Sequence, residues 1–186
     1  IGLAFDGDAD RLIAVDEQGR LVDGDRVMAV CATDMQARGK LAQNTVVGTV
    51  MSNLGLQLYL EKHGMRLEKT AVGDRYVLER MLAEGYNFGG EQSGHVILLD
   101  KNTTGDAMLT ALQLLGVAVR SGKTLGQLAD TVEILPQVLE NARVSEEGRL
   151  AYQADDAVQA EIARIEQALL GKRRVLIRPS GTEPLV

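Results

Sequence analysis

Asp6-Gly-Asp-Ala-Asp10-Arg11 places three carboxylates at alternate positions beside a guanidinium. In an extended segment alternate side chains project to one side, and Gly7 and Ala9 keep the positions between them small. Three converging carboxylates repel one another unless a cation lies among them. Their hard oxygen donors suit Mg²⁺, which retains coordination places for water or a phosphate oxygen. Arg11 then donates hydrogen bonds to a metal-bound phosphate; its plainer role is to balance charge within the loop.

Two other readings of these residues compete. In a calcium loop, Asp6, Asp8 and Asp10 take the first, third and fifth places and Glu17 the twelfth. Arg11 then stands where the sharp turn needs a glycine, and Leu12 to Val15 reads as a strand. The second is a solvated acidic turn, which seldom sits between two apolar strands.

Two further loops carry polar groups at useful spacing. In Gly90-Glu-Gln-Ser-Gly-His95, Glu91 and Ser93 face the same way on an extended loop and offer acceptors to sugar hydroxyls. His95 borders this loop, either as a satisfied structural residue or as a substrate contact. In Arg178-Pro-Ser-Gly-Thr-Glu-Pro184, the Arg178 guanidinium, the Ser180 and Thr182 hydroxyls and the Gly181 N–H form a donor set suited to a phosphate dianion. Asp74, in Gly73-Asp74-Arg75, stands at a strand-to-helix junction, where it caps the helix or approaches a ligand. His63 suits a helix C-terminus and is given no function. Cys31, the single cysteine, reads as a small core residue in an apolar helical context.

Alternating elements position these loops. Strands are expected over Ile1 to Phe5, Leu12 to Val15, Leu21-Val22, Thr45 to Val50, Arg66 to Val72, Phe88 to Gly90 and Val96 to Leu99. Helices are expected over Gly24 to Arg38, Leu54 to His63, Tyr76 to Ala83, Gly105 to Arg120 and Leu125 to Val132, with Gly39, Gly64, Gly85 and Gly122 as stops. This alternation implies an α/β fold, a mixed, mostly parallel sheet with flanking helices. After Pro136 the character changes. A strand over Val138 to Val144, an amphipathic helix over Ala154 to Leu170 and a strand over Arg174 to Ile177 suggest a separate α+β unit.

The chain has 186 residues, 45% hydrophobic but only 3% aromatic, so its core is aliphatic. A net charge of −6, without clusters of basic residues, argues against nucleic acid or an anionic membrane as partner. The apolar stretch from Ala107 to Val119 is interrupted by Thr110, Gln113 and Gly116 and is too short to span a bilayer. One cysteine allows no intrachain disulfide, which fits a reducing cytoplasm. The sequence opens on the strand-like Ile1-Gly-Leu-Ala-Phe5 and stops after a loop, so it reads as part of a longer protein.

The three loops, in this order and over essentially the whole chain, resemble the metal-binding, sugar-binding and phosphate-binding loops of the α-D-phosphohexomutases. Gly90-Glu-Gln-Ser-Gly-His95 and Thr70-Ala-Val-Gly-Asp-Arg-Tyr-Val77 are more similar to the aminosugar branch of that family than to the phosphomannomutase/phosphoglucomutase branch.

The resemblance implies a division into residues 1–22, the remnant of a second domain with the metal loop; 23–133, a third, sugar-binding domain; and 134–186, a truncated fourth, phosphate-binding domain. It implies Mg²⁺ on Asp6, Asp8 and Asp10, a phosphate contact from Arg11, a small-molecule phosphosugar held by Glu91, Ser93, His95 and Asp74, and a phosphate held by Arg178, Ser180, Gly181 and Thr182. The activity implied is a reversible 6-phosphate to 1-phosphate transfer on an aminosugar. It runs through a phosphoserine and a sugar bisphosphate, glucosamine 1,6-bisphosphate or glucose 1,6-bisphosphate. The family's phosphorylated serine lies in its first domain, and Ser52, Ser93, Ser121, Ser145 and Ser180 do not sit in that motif. The chain alone is therefore expected to be inactive, and a non-catalytic phosphosugar-binding module is the alternative.

Overall fold

The computed structural model describes residues 1–145, 147–169, 175–179 and 183–186. They form two compact units, 1–135 and 136–186.

The first unit opens with an antiparallel meander of β1 (Gly2–Phe5), β2 (Leu12–Val15) and β3 (Leu21–Val22), with β1 at one edge. There follow α1 (Gly24–Ala37), β4 (Thr45–Thr49), α2 (Leu54–Lys62), β5 (Arg66–Thr70), α3 (Asp74–Glu84), β6 (Phe88–Gly90), β7 (Val96–Leu98), α4 (Ala107–Ser121) and α5 (Leu125–Ala129). Strands β5, β4, β6 and β7 make a second sheet in that order. β4 runs parallel to β5 and β6, and β7 closes the edge antiparallel to β6. The mixed, mostly parallel α/β arrangement expected from the alternation is thus present.

Alternation along the strands sends neighbouring residues to opposite faces. Val46, Val96 and Leu98 join the larger core with Val27, Met28, Leu56, Phe88 and Leu114. Val47 and Ile97 join a smaller one under α3 with Val77, Met81 and Tyr86. The sheet is therefore covered on both faces, which a largely parallel sheet requires. Leu12, Ala14 and Val22 extend the larger core into the meander, so the loop between β1 and β2 is anchored at its downstream end by a fully buried leucine. Burying such a side chain contributes roughly 1.5–3 kcal/mol.

Helix ends follow side-chain chemistry. Asp23, Asn53, Asp106 and Thr124 accept hydrogen bonds from first-turn N–H groups of α1, α2, α4 and α5. The expected stops Gly39, Gly64, Gly85 and Gly122 have φ between 63° and 73°, the left-handed conformation that ends a helix at least cost when no Cβ is present. Asn53 also anchors the end of the unit. Its Oδ1 accepts from the Leu135 N–H at 3.0 Å and its Nδ2 donates to the Leu135 carbonyl at 2.9 Å.

The second unit contains α6 (Gly148–Ala151) and α7 (Asp156–Ala168), the latter capped by Asp155. Here two expectations need correction. Val138 to Val144 does not form a strand: its pairing is confined to an isolated bridge between Arg143 and Leu185, flanked by hydrogen bonds of Ala142 and Val144 to Val186 and Pro184. Val175 to Ile177 is not a strand either, and residue 174 lies outside the described residues. A strand exists only where a neighbour supplies its ladder. Among the described residues of this unit, that neighbour is limited to the last few positions.

Candidate metal and sugar site

The acidic loop joins β1 to β2, and its carboxylates converge for a reason other than strand alternation. Residues 6–10 form a turn, with the Ala9 N–H donating to the Asp6 carbonyl at 3.1 Å. Ala9 has φ 59°, a left-handed conformation that a β-carbon disfavours. The Ala9 carbonyl in turn accepts from the N–H of Ala107 at 3.0 Å, one of the first-turn N–H groups of α4 that no helical carbonyl satisfies. This turn brings one oxygen from each of Asp6, Asp8 and Asp10 within 4.8 Å of the others.

Arg11 flanks the cluster. Its N–H donates to Asp6 Oδ1 at 3.1 Å, and its Nε lies 3.8 Å from both Asp6 Oδ2 and Asp10 Oδ1. Partial desolvation opposes ionisation of Asp6. It is outweighed by the Arg11 N–H, by Asp10 and by the Arg11 guanidinium, so the Asp6 pKa falls below its ordinary value.

The Glu91–His95 loop is built directly onto the acidic loop. The Leu12 N–H donates to the Gly94 carbonyl at 3.1 Å, and Arg11 and His95 form an antiparallel bridge. The loop is a tight connection between β6 and β7, closed by Glu91 N–H to His95 O at 2.8 Å and Gly94 N–H to Glu91 O at 3.0 Å. Glu91 thus opens a turn and Ser93 lies at its centre, instead of the two lying along an extended segment. Ser93 is exposed and Glu91 half-buried. Glu91 Oε1 accepts from the Gly73 N–H at 3.0 Å, which ties the loop before α3 to the same place.

His95 is buried. Its Nδ1 lies 3.1 Å from Asp10 Oδ2, and its Nε2 accepts from the Gly105 N–H at 3.2 Å. Asp74 does not cap α3. It is the first helical residue, Gly73 precedes it as the cap, and its Oδ2 lies 4.0 Å from His95 Nε2. Asp6, Asp8, Asp10, Arg11, Glu91, Ser93, His95 and Asp74 are therefore brought to one place. Arg178 is exposed in the second unit, and Ser180, Gly181 and Thr182 lie outside the described residues.

Sequence reasoning passed over two glycines on which this arrangement depends. Gly24, at the start of α1, donates its N–H to the Gln92 carbonyl at 3.0 Å. Gly105 packs against the His95 ring. The available signals were Asp23-Gly24 and Thr104-Gly105-Asp106, small residues next to helix caps.

The descriptions of two domains match this chain: phosphoglucomutase/phosphomannomutase α/β/α domain III over residues 23–134, and the C-terminal domain of the same family over residues 139–186. The chain belongs to the phosphoglucomutase/phosphomannomutase family. Among this family's members, a phosphoglucosamine mutase of Caldanaerobacter subterraneus subsp. tengcongensis is 57% identical over all 186 residues, and one of Thermoanaerobacter pseudethanolicus is 58% identical. Each match spans 42% of the relative's length. Among solved structures, an N-acetylphosphoglucosamine mutase of Aspergillus fumigatus superposes with a TM-score of 0.80 at 25% identity, over 98% of this chain and 43% of that one. A second structure of the A. fumigatus enzyme, in complex with GlcNAc-6P and magnesium, gives 0.78 at 25% identity, over 98% of this chain and 46% of that one. The chain thus spans less than half the length of the curated relatives it matches. The phosphoglucomutase/phosphomannomutase domain III match begins at residue 23, one residue before α1, whereas β1 to β3 pack into the same compact unit as the residues that follow.

Proposed function

We propose that this chain supplies the metal-, sugar- and phosphate-binding part of a phosphoglucosamine mutase, which interconverts glucosamine 6-phosphate and glucosamine 1-phosphate. The observation that carries the reading is the union of the two loops. A cluster of three carboxylates is hydrogen-bonded through Leu12 and Gly94 to a loop presenting Glu91 and Ser93. Identity of 57% over the whole chain to a phosphoglucosamine mutase supports the aminosugar branch.

The donor set fits Mg²⁺. All three side chains offer hard carboxylate oxygens, and Asp10 Oδ1 is buried without a hydrogen-bond partner. Asp6, Asp8 and Asp10 would hold the ion, whose charge would offset that of a phosphoryl oxygen. A neighbour of similar fold was solved with GlcNAc-6P and magnesium, and another with glucose 1,6-bisphosphate, which supports a bisphosphate intermediate here.

In this reading residues 1–22 are the tail of a second domain, 23–133 a third and 134–186 most of a fourth, within a cytoplasmic enzyme. The phosphoserine comes from residues outside these 186, so the chain alone is inactive. As the serine Oγ–P bond breaks, a bond forms from that phosphorus to the oxygen of the free sugar hydroxyl, whose proton ends on the departing serine Oγ. The bisphosphate turns over, and its other phosphoryl group returns to the serine. Arg11 donates to phosphate oxygens near the carboxylate cluster. Glu91 and Ser93 bind ring hydroxyls in either orientation, with Asp74 at the rim. Arg178, Ser180, Gly181 and Thr182 hold the phosphate that is not reacting. Positioning and charge neutralisation of this kind supply most of the catalysis in phosphoryl transfer.

The test is turnover by the full-length protein. Faster conversion of glucosamine 1-phosphate than of glucose 1-phosphate is expected. Equal or faster conversion of glucose 1-phosphate moves the assignment to phosphomannomutase/phosphoglucomutase, and binding without turnover of either moves it to a phosphosugar-binding module.

A further inference from the structure

The β6–β7 hairpin has two ends. Its turn meets the acidic loop; its open end, where Asn87 enters β6 and the chain leaves β7 at Leu98, lies roughly 10 Å away along the strands. At this open end, beside the last turn of α1 and the middle of α4, there is a cavity of about 370 Å³, within the size range of small-molecule sites. Arg38, Lys40 and Lys101 line it, a gathering of positive charge on a chain whose net charge is −6. Among the described residues neither lysine has an ion-pair partner. The neighbouring carboxylates are already engaged. Asp100 Oδ2 accepts from Asn87 Nδ2 at 2.7 Å. Asp34, which lies 3.3 Å from Arg38, also accepts two hydrogen bonds from Arg120, at 3.0 and 2.8 Å. The negative pole of α1 is answered too, because the carbonyls of Asp34, Met35 and Gln36 accept from the N–H groups of Arg38, Lys40 and Gly39. The floor has a different character: Met35 and Leu98 line the cavity and are 5% and 6% exposed.

We propose that this cavity is a ligand site in its own right, for a small organic phosphate whose phosphoryl group meets Arg38, Lys40 and Lys101 and whose apolar body covers Met35 and Leu98. The charges select the ligand's class. Asp34 and Asp100 stand against Arg38, Arg120, Lys40 and Lys101, so two positive charges are left over. They match a phosphate monoester, which carries nearly two negative charges at neutral pH, better than a single carboxylate. A forked guanidinium and two ammonium groups are the donors such a group takes, and Gln113 adds an amide from α4. The apolar floor and the volume call for a body beyond the phosphate itself. The cations come from the end of α1, the segment after it and the turn after β7, so folding alone brings them together. None of these residues belongs to the metal, sugar or phosphate loops, and the proposal stands apart from the mutase reading.

The test reads individual lysines, so a phosphate bound elsewhere in the protein does not confuse it. Full-length protein without Mg²⁺ is treated with a trace of acetic anhydride, and acetylation of each lysine is followed by peptide mass spectrometry. The probes are inorganic phosphate and phenyl phosphate, each compared with potassium chloride at equal ionic strength. Acetylation of Lys40 and Lys101 should slow, by about threefold when a probe stands at twice its Kd, while the exposed Lys123 keeps its rate. Phenyl phosphate should act at lower concentration than inorganic phosphate. Equal slowing at Lys123, or no slowing at Lys40 and Lys101 with either probe, overturns the proposal. Phenyl phosphate no more potent than inorganic phosphate overturns it as well, because the apolar floor then contributes nothing. A double variant, Arg38→Gln with Lys40→Gln, changes two exposed residues and should abolish the protection of Lys101; protection that persists there overturns the site.

Discussion

Gly24 lies directly beneath Glu91: a Cβ built on Gly24 would sit 2.1 Å from the Glu91 carbonyl oxygen and 2.8 Å from the Gly94 nitrogen. These are backbone atoms, which cannot rotate aside. Gly24→Ala should therefore push the Glu91–His95 loop away from α1 and from the acidic loop. The expected outcome in the full-length enzyme is a raised KM for the phosphosugar and a stability loss of about 1–3 kcal/mol, typical of forced overpacking. Steady-state kinetics and urea denaturation check it, and an unchanged KM would show that the loop does not bind substrate.

Asn53 holds the Gly55 N–H at 2.8 Å as well as both backbone groups of Leu135. Asn53→Ala removes all three bonds at a residue only 3% exposed. The unsatisfied backbone groups should cost about 1–3 kcal/mol. Hydrogen exchange should accelerate at the Leu135 amide well before it does at core amides of β4.

Acid should weaken the link between the β2–β3 turn and α5. Desolvation of Asp16 opposes its ionisation, but the N–H groups of Arg20 and Gln18 and the Arg20 guanidinium hold its pKa below the ordinary 3.8. Glu17 is held below its ordinary 4.5, first by the Thr124 hydroxyl and then by backbone N–H groups including that of Gly126. Folded-state values below the unfolded ones mean stabilisation that is fully present above those ordinary values. It is lost as the pH falls through the lower, folded ones. Urea midpoints measured from pH 5 downward should fall most steeply below about pH 4.5, and the fall should be shallower in Asp16→Asn.

The acidic loop gives a charge test that separates binding from folding. Asp8 is exposed, so Asp8→Asn should leave the melting temperature in EDTA within the range of a surface change, about 0.5 kcal/mol. The Mg²⁺ affinity of the full-length protein should nevertheless fall at least 10-fold, by about the cost of a lost ligand contact. Calorimetric titration and thermal melts on the same samples decide it.

The α/β order and the acidic loop were marked in the sequence because both are local signals. Apolar spacing marks α1 and α4, and Asp6, Asp8 and Asp10 announce themselves by spacing alone. The assembly of the site was not legible, because it depends on contacts between distant residues. The Asp10–His95 pair spans 85 positions, and no period in a sequence reports such a pairing. The geometric reason for convergence also differed. Alternation on a strand was expected, whereas Ala9 in a left-handed conformation closes a turn. Among the described residues, Val138 to Val144 has no neighbouring strand to bond with along most of its length, so side-chain type alone was misleading there.

Among the described residues β1 pairs on one side only, so every second residue along it directs its N–H and C=O away from β2. Phe5 and Ile1 add exposed apolar surface at the same margin, 45% and 56% accessible. Such a margin is an invitation to strand addition. A sample of these residues kept at high concentration should form intermolecular β-structure along that seam, and a lysine in place of Phe5 should slow it.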